Sequence, residues 1–242
     1  KYFDTAPLYG HGKSERFVGK ALGALPRDSF VLSSKVGRVL NPLESPGDTG
    51  IYVGVPPFEA VFDFSRDGIL RSIDDSLERL GLDRIDIAFI HDPDDHHDLA
   101  IGEAFPTLAA LRSQGVIRAV GAGMNQWQSL ARFAREGEFD CFLLAGRYTL
   151  LDHSGLDELL PLCEERRISI MLGGPYNSGI LASDLSPGSK YFYQDAPDEV
   201  LEQARRIKTV CDRHDVPMKA AALQFGLAYP AVASTIPGAR SP

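Results

Sequence analysis

The sequence predicts an α/β fold, a (β/α)8 barrel, on three observations. Strand-like and helix-like segments alternate along all 242 residues. Several strand-like segments are short apolar runs, such as Cys141-Phe142-Leu143-Leu144 and Ile168-Ser169-Ile170-Met171-Leu172. Such runs suit parallel strands covered by helices. No break in composition divides the chain, and its length is that of one such barrel, typically about 250 residues.

The elements follow in order. A first strand ends at Asp4, and Ser14 is the expected N-cap of a helix with Phe17, Val18, Ala21 and Leu22 on one face. Phe30 to Lys35 is the second strand. Val36 to about Phe64, rich in Gly and Pro, is expected to be an irregular loop, and loops of that length are usually functional or mobile. Ser65 caps the next helix, which carries Ile69, Ile73, Leu77 and Leu80 on one face and stops at Gly81. Ile85 to Ile90 is a strand. Pro106 lies in the first turn of a helix that ends near Gly115. Ile117 to Ala122, Cys141 to Ala145, Ile168 to Leu172 and Val232 to Ile236 read as strands. Gln128 to Glu136, Leu156 to Arg166, a segment ending near His214 and Lys219 to Tyr229 read as helices, with a second irregular loop from Gly173 to about Pro197. Seven strands are legible where a barrel has eight. The expectation is therefore one barrel domain, residues 1–242, lacking a first strand–helix unit and a C-terminal helix and continuing naturally at both ends.

Composition excludes several classes. A net charge of -8 argues against a nucleic-acid or anionic-membrane surface. No apolar run approaches the roughly 20 residues that span a bilayer. Cys141, Cys163 and Cys211 are widely spaced and odd in number, as expected of reduced core thiols in a cytoplasmic protein. The expected partner is a small molecule; the oligomeric state is not legible.

Chemistry in this fold collects at the C-terminal ends of the strands. Asp4, Lys35 and His91 fall at such ends, and Tyr9 lies in the loop after the first strand. Taken singly, each has an ordinary structural explanation; together they make a proton-transfer site. An ammonium favours a neighbouring phenolate and lowers the phenol pKa from about 10, while a carboxylate holds the ammonium in place. A Tyr so tuned serves as general acid or base. Asp92, Asp94, Asp95, His96, His97 and Asp98 form a second cluster. It reads either as divalent-metal ligands or as a solvated acidic loop; the loop is favoured, because barrel metal sites usually draw on several strands.

Phe3-Asp4-Thr5-Ala6-x-x-Tyr9-Gly10, Ser33-Ser34-Lys35-Val36-Gly37 and Ile90-His91 resemble the three signatures of the aldo-keto reductase family. The resemblance continues through Gly121-Ala122-Gly123-Met124-Asn125-Gln126 and ends at Ser234-Thr235-Ile236-Pro237-Gly238-Ala239-Arg240-Ser241. It implies a (β/α)8 barrel, an extended NAD or NADP and no metal. It makes Tyr9 the proton donor, Lys35 and Asp4 its tuning pair, His91 the residue that orients the substrate carbonyl, and Asn125 the partner of the nicotinamide carboxamide. The loops Gly173 to Gly179 and Pro237 to Arg240 follow the last two strands, where this fold usually binds phosphate. With the resemblance, Gly174, Pro175, Tyr176, Asn177, Gly179, Ile236, Pro237, Gly238, Ala239 and Arg240 are expected to cradle the cofactor together with Asp4. NADP-preferring relatives often carry Lys where this chain has Gly238, which tilts the expectation towards NAD. Where many members have a polar residue on strand six, this chain offers Gly146. His91-Asp92-Pro93-Asp94-Asp95-His96 and Met124-Asn125-Gln126-Trp127 look most like the aldose 1-dehydrogenase branch, which includes L-fucose, D-threo-aldose, L-galactose and pyridoxal dehydrogenases. The implied substrate is a small polyhydroxy aldehyde or sugar lactol, with Trp127 as a wall of its pocket. The alternatives are a non-catalytic subunit on the same fold and a metal-dependent barrel hydrolase using His91 to Asp98.

Overall fold

The structure is a computed structural model that describes residues 1–45, 47 and 49–238. They fall into two compact units, Lys1–Gly123 with Arg135–Cys141, and Met124–Ala134 with Phe142 onward.

In the first unit, β1 (Tyr2–Asp4), α1 (Lys13–Leu22), β2 (Val31–Val36), β3 (Arg38–Pro42), β4 (Phe58–Phe62), α2 (Arg66–Leu80) and β5 (Ile87–His91) follow in order. A short helical stretch, α3 (His97–Leu99), runs through a π turn (Ala100–Ala104) into α4 (Phe105–Ser113), and β6 spans Ala119–Met124. Strands β1, β2, β5 and β6 are neighbours in that order, all parallel. Their register is staggered by a constant step. Asp4 pairs with Ser33, Lys35 with Phe89, and His91 with Gly123. From each paired position the chemistry-bearing residue lies two further along. A two-residue step keeps side chains on one face of a strand, so Asp4, Lys35 and His91 share a face. Gly121 pairs with Phe89, and a Cβ there would stand 2.5 Å from the Phe89 ring. The ring fills the space that glycine leaves.

The first helix differs from expectation. Its N-cap is Gly12, at φ 85°, without a side-chain cap, and the Ser14 hydroxyl instead meets Thr5 Oγ1 at 2.8 Å. Its buried residues are Glu15, Gly19 and Leu22, whereas Phe17 is exposed. The reason is a buried polar seam: Glu15 accepts from Arg79 Nε at 2.6 Å and from Ser34 Oγ at 2.7 Å. Gly19 lets α1 touch the end of α2, since a Cβ there would lie 1.9 Å from the Leu80 carbonyl oxygen. Gly19→Ala should therefore destabilise the protein despite alanine's helix preference, by about 1–3 kcal/mol as for other overpacked sites. Denaturant titration checks this; a more stable variant would show that the two helices part freely.

The expected loop from Val36 to Phe64 also differs: it contains the antiparallel hairpin β3–β4, with Arg38 opposite Phe62 and Pro42 opposite Phe58. Its strands are separated by a long Gly/Pro-rich segment, which hid the pairing. Helix α2 is as expected: Ser65 Oγ accepts from the Gly68 N–H at 3.1 Å, and Gly81 closes it at φ 63°.

The second unit begins with the end of β6 and the start of α5 (Trp127–Glu136). It continues through β7 (Cys141–Ala145) from Phe142 on, α6 (Leu159–Arg166), β8 (Ser169–Gly173), a small hairpin β9 (Lys190–Tyr191) and β10 (Gln194–Asp195), α7 (Asp198–Arg213), α8 (Met218–Phe225) and β11 (Val232–Ile236). Strands β7, β8 and β11 are neighbours in that order, and β8 and β11 run parallel. Ile180, Leu181, Leu201, Ala204, Cys211 and Met218 form a core under the β8–α7 segment. Cys141, Cys163 and Cys211 are buried free thiols. Among the described residues no helix is long and apolar enough to cross a membrane.

Candidate active site

The strand ends of the first unit assemble a compact charged site. Ser33 and Lys35 sit two apart on β2 and face β1, whereas Ser34 between them faces Glu15. Lys35 Nζ donates to Asp4 Oδ2 at 2.7 Å and to the Thr5 carbonyl at 2.9 Å. Ser33 Oγ donates to the other Asp4 oxygen at 2.5 Å and lies 2.8 Å from the Tyr2 hydroxyl. The lysine side chain is 1 % exposed and that of Asp4 8 %. A buried ammonium persists only where it is paired; burial lowers its pKa, but Asp4 and Tyr9 together outweigh burial and raise it above the ordinary lysine value.

Tyr9 is delivered by the loop after β1, whose left-handed residues His11 and Gly12 turn the chain into α1. Its ring lies 4.6 Å from Lys35 Nζ and meets the His91 imidazole edge-on, centroids 5.9 Å apart at 83°. Burial raises the phenol pKa, Lys35 lowers it and Asp4 raises it; the net shift is upward. The expected downward tuning is present as a contribution but is outweighed. Tyr9 is thus a neutral phenol at ordinary pH and still carries its proton. His91 is held well below the usual imidazole value by burial, then by the positive charges of Lys35 and Arg38, so it is neutral at pH 7. Its Nδ1 is buried without a hydrogen-bond partner among the described residues. A buried neutral imidazole beside a neutral phenol can hold a carbonyl oxygen by hydrogen bonds while a proton moves.

The His91–Asp98 cluster is dispersed rather than convergent. Asp92 accepts from Arg38, His96 stacks against Phe62 and Phe64, and His97 Nε2 lies 2.7 Å from Glu136. Among the described residues no group of three ligands is placed to hold a metal ion.

The second unit holds the other sequence-predicted residues. Asn125 donates through Nδ2 to the Ala145 carbonyl at 2.9 Å, and Trp127, half-buried, opens α5 two residues later. After β8, Gly174, Asn177, Ser178 and Gly179 all take positive φ, and Asn177 Nδ2 donates to the Gly146 carbonyl at 3.3 Å. Pro175 is buried, and Tyr176 packs against the core of this unit. Gly173 pairs with Ile236 at the end of β11, and Pro237 and Gly238 follow exposed. Ala239 and Arg240 lie outside the described residues. Asn177 Oδ1 and Thr235 Oγ1 are buried with no partner among the described residues. Unsatisfied buried polar atoms are costly unless a ligand meets them. Those two atoms, with the open backbone around Gly174 and Gly179, fit a polar dinucleotide along the ends of β8 and β11.

A family model described as the aldo/keto reductase family matches residues 1–242. The chain belongs to the aldo/keto reductase family. Aldo-keto reductases are oxidoreductases that use NAD(P)H, and the fold class is their (β/α)8 barrel. The chain is 43% identical over 249 residues to a D-threo-aldose 1-dehydrogenase from Pseudomonas sp, covering 100% of this chain and 76% of that one. It is 40% identical over 263 residues to a pyridoxal 4-dehydrogenase from Microbacterium luteolum, with the same shares. Among solved structures, an aldo-keto reductase from Bacillus halodurans in its holo form matches with TM-score 0.75 and 28% identity, over 99% of this chain and 72% of that one. Nothing in these similarities supports a metal hydrolase or a non-catalytic subunit.

Ser33 and Arg38 were not singled out from the sequence. Ser33 was findable: it is two residues before Lys35 on one strand face, opposite Asp4. Arg38 was not, because its partner Asp92 is met only through the register of β2 on β5, in which Val36 pairs with Ile90.

Proposed function

We propose that this aldo-keto reductase interconverts a small polyhydroxy aldehyde, in its lactol form, and the corresponding lactone, or reduces the related carbonyl. The observation that carries the reading is the buried Lys35, tied to Asp4 at 2.7 Å and lying 4.6 Å from the Tyr9 ring. In this reading Tyr9 gives its proton to the carbonyl oxygen in reduction and takes it back in oxidation. Lys35 stabilises the phenolate that remains, Asp4 and Ser33 hold Lys35 in place, and neutral His91 orients the oxygen. The nicotinamide cofactor supplies or accepts the hydride when bound. Asn125, Gly174 to Gly179, Ile236 and Pro237 are its proposed holders on the second unit. Trp127 is the proposed edge of the substrate pocket, since an indole suits the C–H face of a sugar ring. The names of the two dehydrogenase relatives support an aldose or a pyridoxal-like aldehyde.

NAD is the proposed cofactor. Gly238 offers no side chain to a ribose 2′-phosphate, and losing a charge-assisted contact weakens NADP binding. The buried free thiols fit a reducing compartment, the cytoplasm.

The test is a near-ultraviolet absorbance assay of nicotinamide reduction with a panel of aldoses and of apolar aldehydes, each with NAD and NADP. The expected result is turnover of aldoses, with a lower dissociation constant for NAD by fluorescence quenching. Turnover of apolar aldehydes alone would overturn the substrate reading, and tighter NADP binding the cofactor reading.

A further inference from the structure

Beyond its charge on His91, Arg38 has no role in the chemistry above, yet it is placed unlike an ordinary surface arginine. Its Nη2 donates to Asp92 Oδ2 at 2.8 Å, its guanidinium lies 4.2 Å from the Phe62 ring centroid, and its Nε is buried with no partner among the described residues. Asp92 directly follows His91 and sits at φ 44°, in the left-handed region that Asp adopts more readily than most residues with a Cβ. Its N–H is fixed by the Gly123 carbonyl at 3.0 Å. With that geometry the carboxylate reaches back towards the site, with Oδ2 3.6 Å from His91 Nε2. Both contacts fall on Oδ2. Among the described residues, Asp92 Oδ1 and Arg38 Nη1 are the groups left for another partner, and the side chains keep 32% and 21% of their surface exposed.

Arg38 also faces a cleft of about 570 Å³ beneath the hairpin, shared with Leu8, His11, Tyr52, Phe58 and Glu59. Leu8 adjoins Tyr9 in sequence. Arg38 therefore pairs through its guanidinium with the neighbour of His91 and also lines a ligand-sized space. A plain exposed ion pair contributes little to stability and would not explain a left-handed Asp92 backbone and a buried Arg38 Nε without a partner among the described residues. A guanidinium–carboxylate pair offering one donor and one acceptor side by side suits a hydroxyl group, which needs both.

We propose that Arg38 and Asp92 are specificity residues that read the hydroxyl on the carbon next to the reacting carbonyl, Asp92 Oδ1 accepting its proton and Arg38 Nη1 donating to its oxygen. This rests on the polyhydroxy-aldehyde reading above and names the residues that enforce it. A site built to pair a hydroxyl discriminates strongly against an analogue that lacks it, because its own polar groups are then left unsatisfied.

The experiment compares an aldose with its 2-deoxy counterpart in the wild type, Arg38→Met, Arg38→Lys and Asp92→Ala, with NAD binding by fluorescence quenching as the check of folding. The wild type should favour the hydroxylated substrate in kcat/KM by ~10²-fold or more. That ratio should fall to within a few fold in Arg38→Met and Asp92→Ala, mainly through KM. Arg38→Lys, which keeps the charge and loses the fork, should lie between. If the variants slow both substrates equally and leave the ratio intact, the pair is structural and the proposal is wrong. A wild-type ratio near one overturns it while the oxidoreductase reading stands. Failure of the wild type to turn over either sugar, with NAD bound, removes the substrate class and this reader with it.

Discussion

Tyr9→Phe should lower kcat by about 10²–10⁴-fold, the range general acid–base catalysis is worth, while leaving the cofactor dissociation constant near that of the wild type. The ring would remain against Lys35 and His91, 4.6 Å and 5.9 Å away, so the substitution removes the proton and little else. Because the same proton moves in both directions through one transition state, reduction and oxidation should both slow. Single-turnover kinetics isolate the step. Near-normal turnover in Tyr9→Phe would mean that water or His91 moves the proton.

Lys35→Met should damage stability as well as rate. The substitution leaves the Asp4 carboxylate buried, with Ser33 as a partner but without its cation. Breaking a buried pair by removing one member costs about 3–5 kcal/mol, a large part of a typical domain's stability. The sign of the pH dependence follows from the raised pKa of Lys35. The folded protein holds that proton more tightly than the unfolded chain, so the stabilisation is complete below the ordinary lysine value of about 10.4 and fades only as pH rises through the higher folded value. The gap between wild type and Lys35→Met in denaturant titrations should therefore be constant across neutral pH. Asp4→Asn in the same background should recover part of it, since no buried charge then remains. The surviving activity should show an oxidative pH optimum shifted upward, because Tyr9 loses the cation that opposes its burial. A variant as stable as the wild type would mean that water reaches Asp4.

Much of this was legible because local rules and tertiary demands agreed. Ser65 and Gly81 mark the ends of α2 by capping chemistry alone, and Val232–Ile236 and Cys141–Ala145 stand where their apolar runs put them. The hairpin β3–β4 was hidden because pairing across a long insertion leaves no local turn signal. The α1 face was misread because Glu15 is buried, and a charged residue reads as solvent-facing unless its partners are known.

By itself the sequence determined the class of fold and the residue types of the candidate site: an acid, an amine and an imidazole at successive strand ends and a phenol in the first loop, in the order of a reductase family. Those depend on periodicity and on order along the chain, both of which a sequence carries. Only the tertiary structure decided the charge states and the neighbours. The two-residue stagger of β1, β2 and β5 brings Lys35 to 2.7 Å from Asp4. Burial then keeps Tyr9 protonated and His91 neutral, and the pairing of β2 with β5 carries Arg38 to Asp92, each two residues past the Val36–Ile90 pair. Desolvation and Coulomb interactions depend on distances between residues far apart in the chain, and those distances exist only once it has folded.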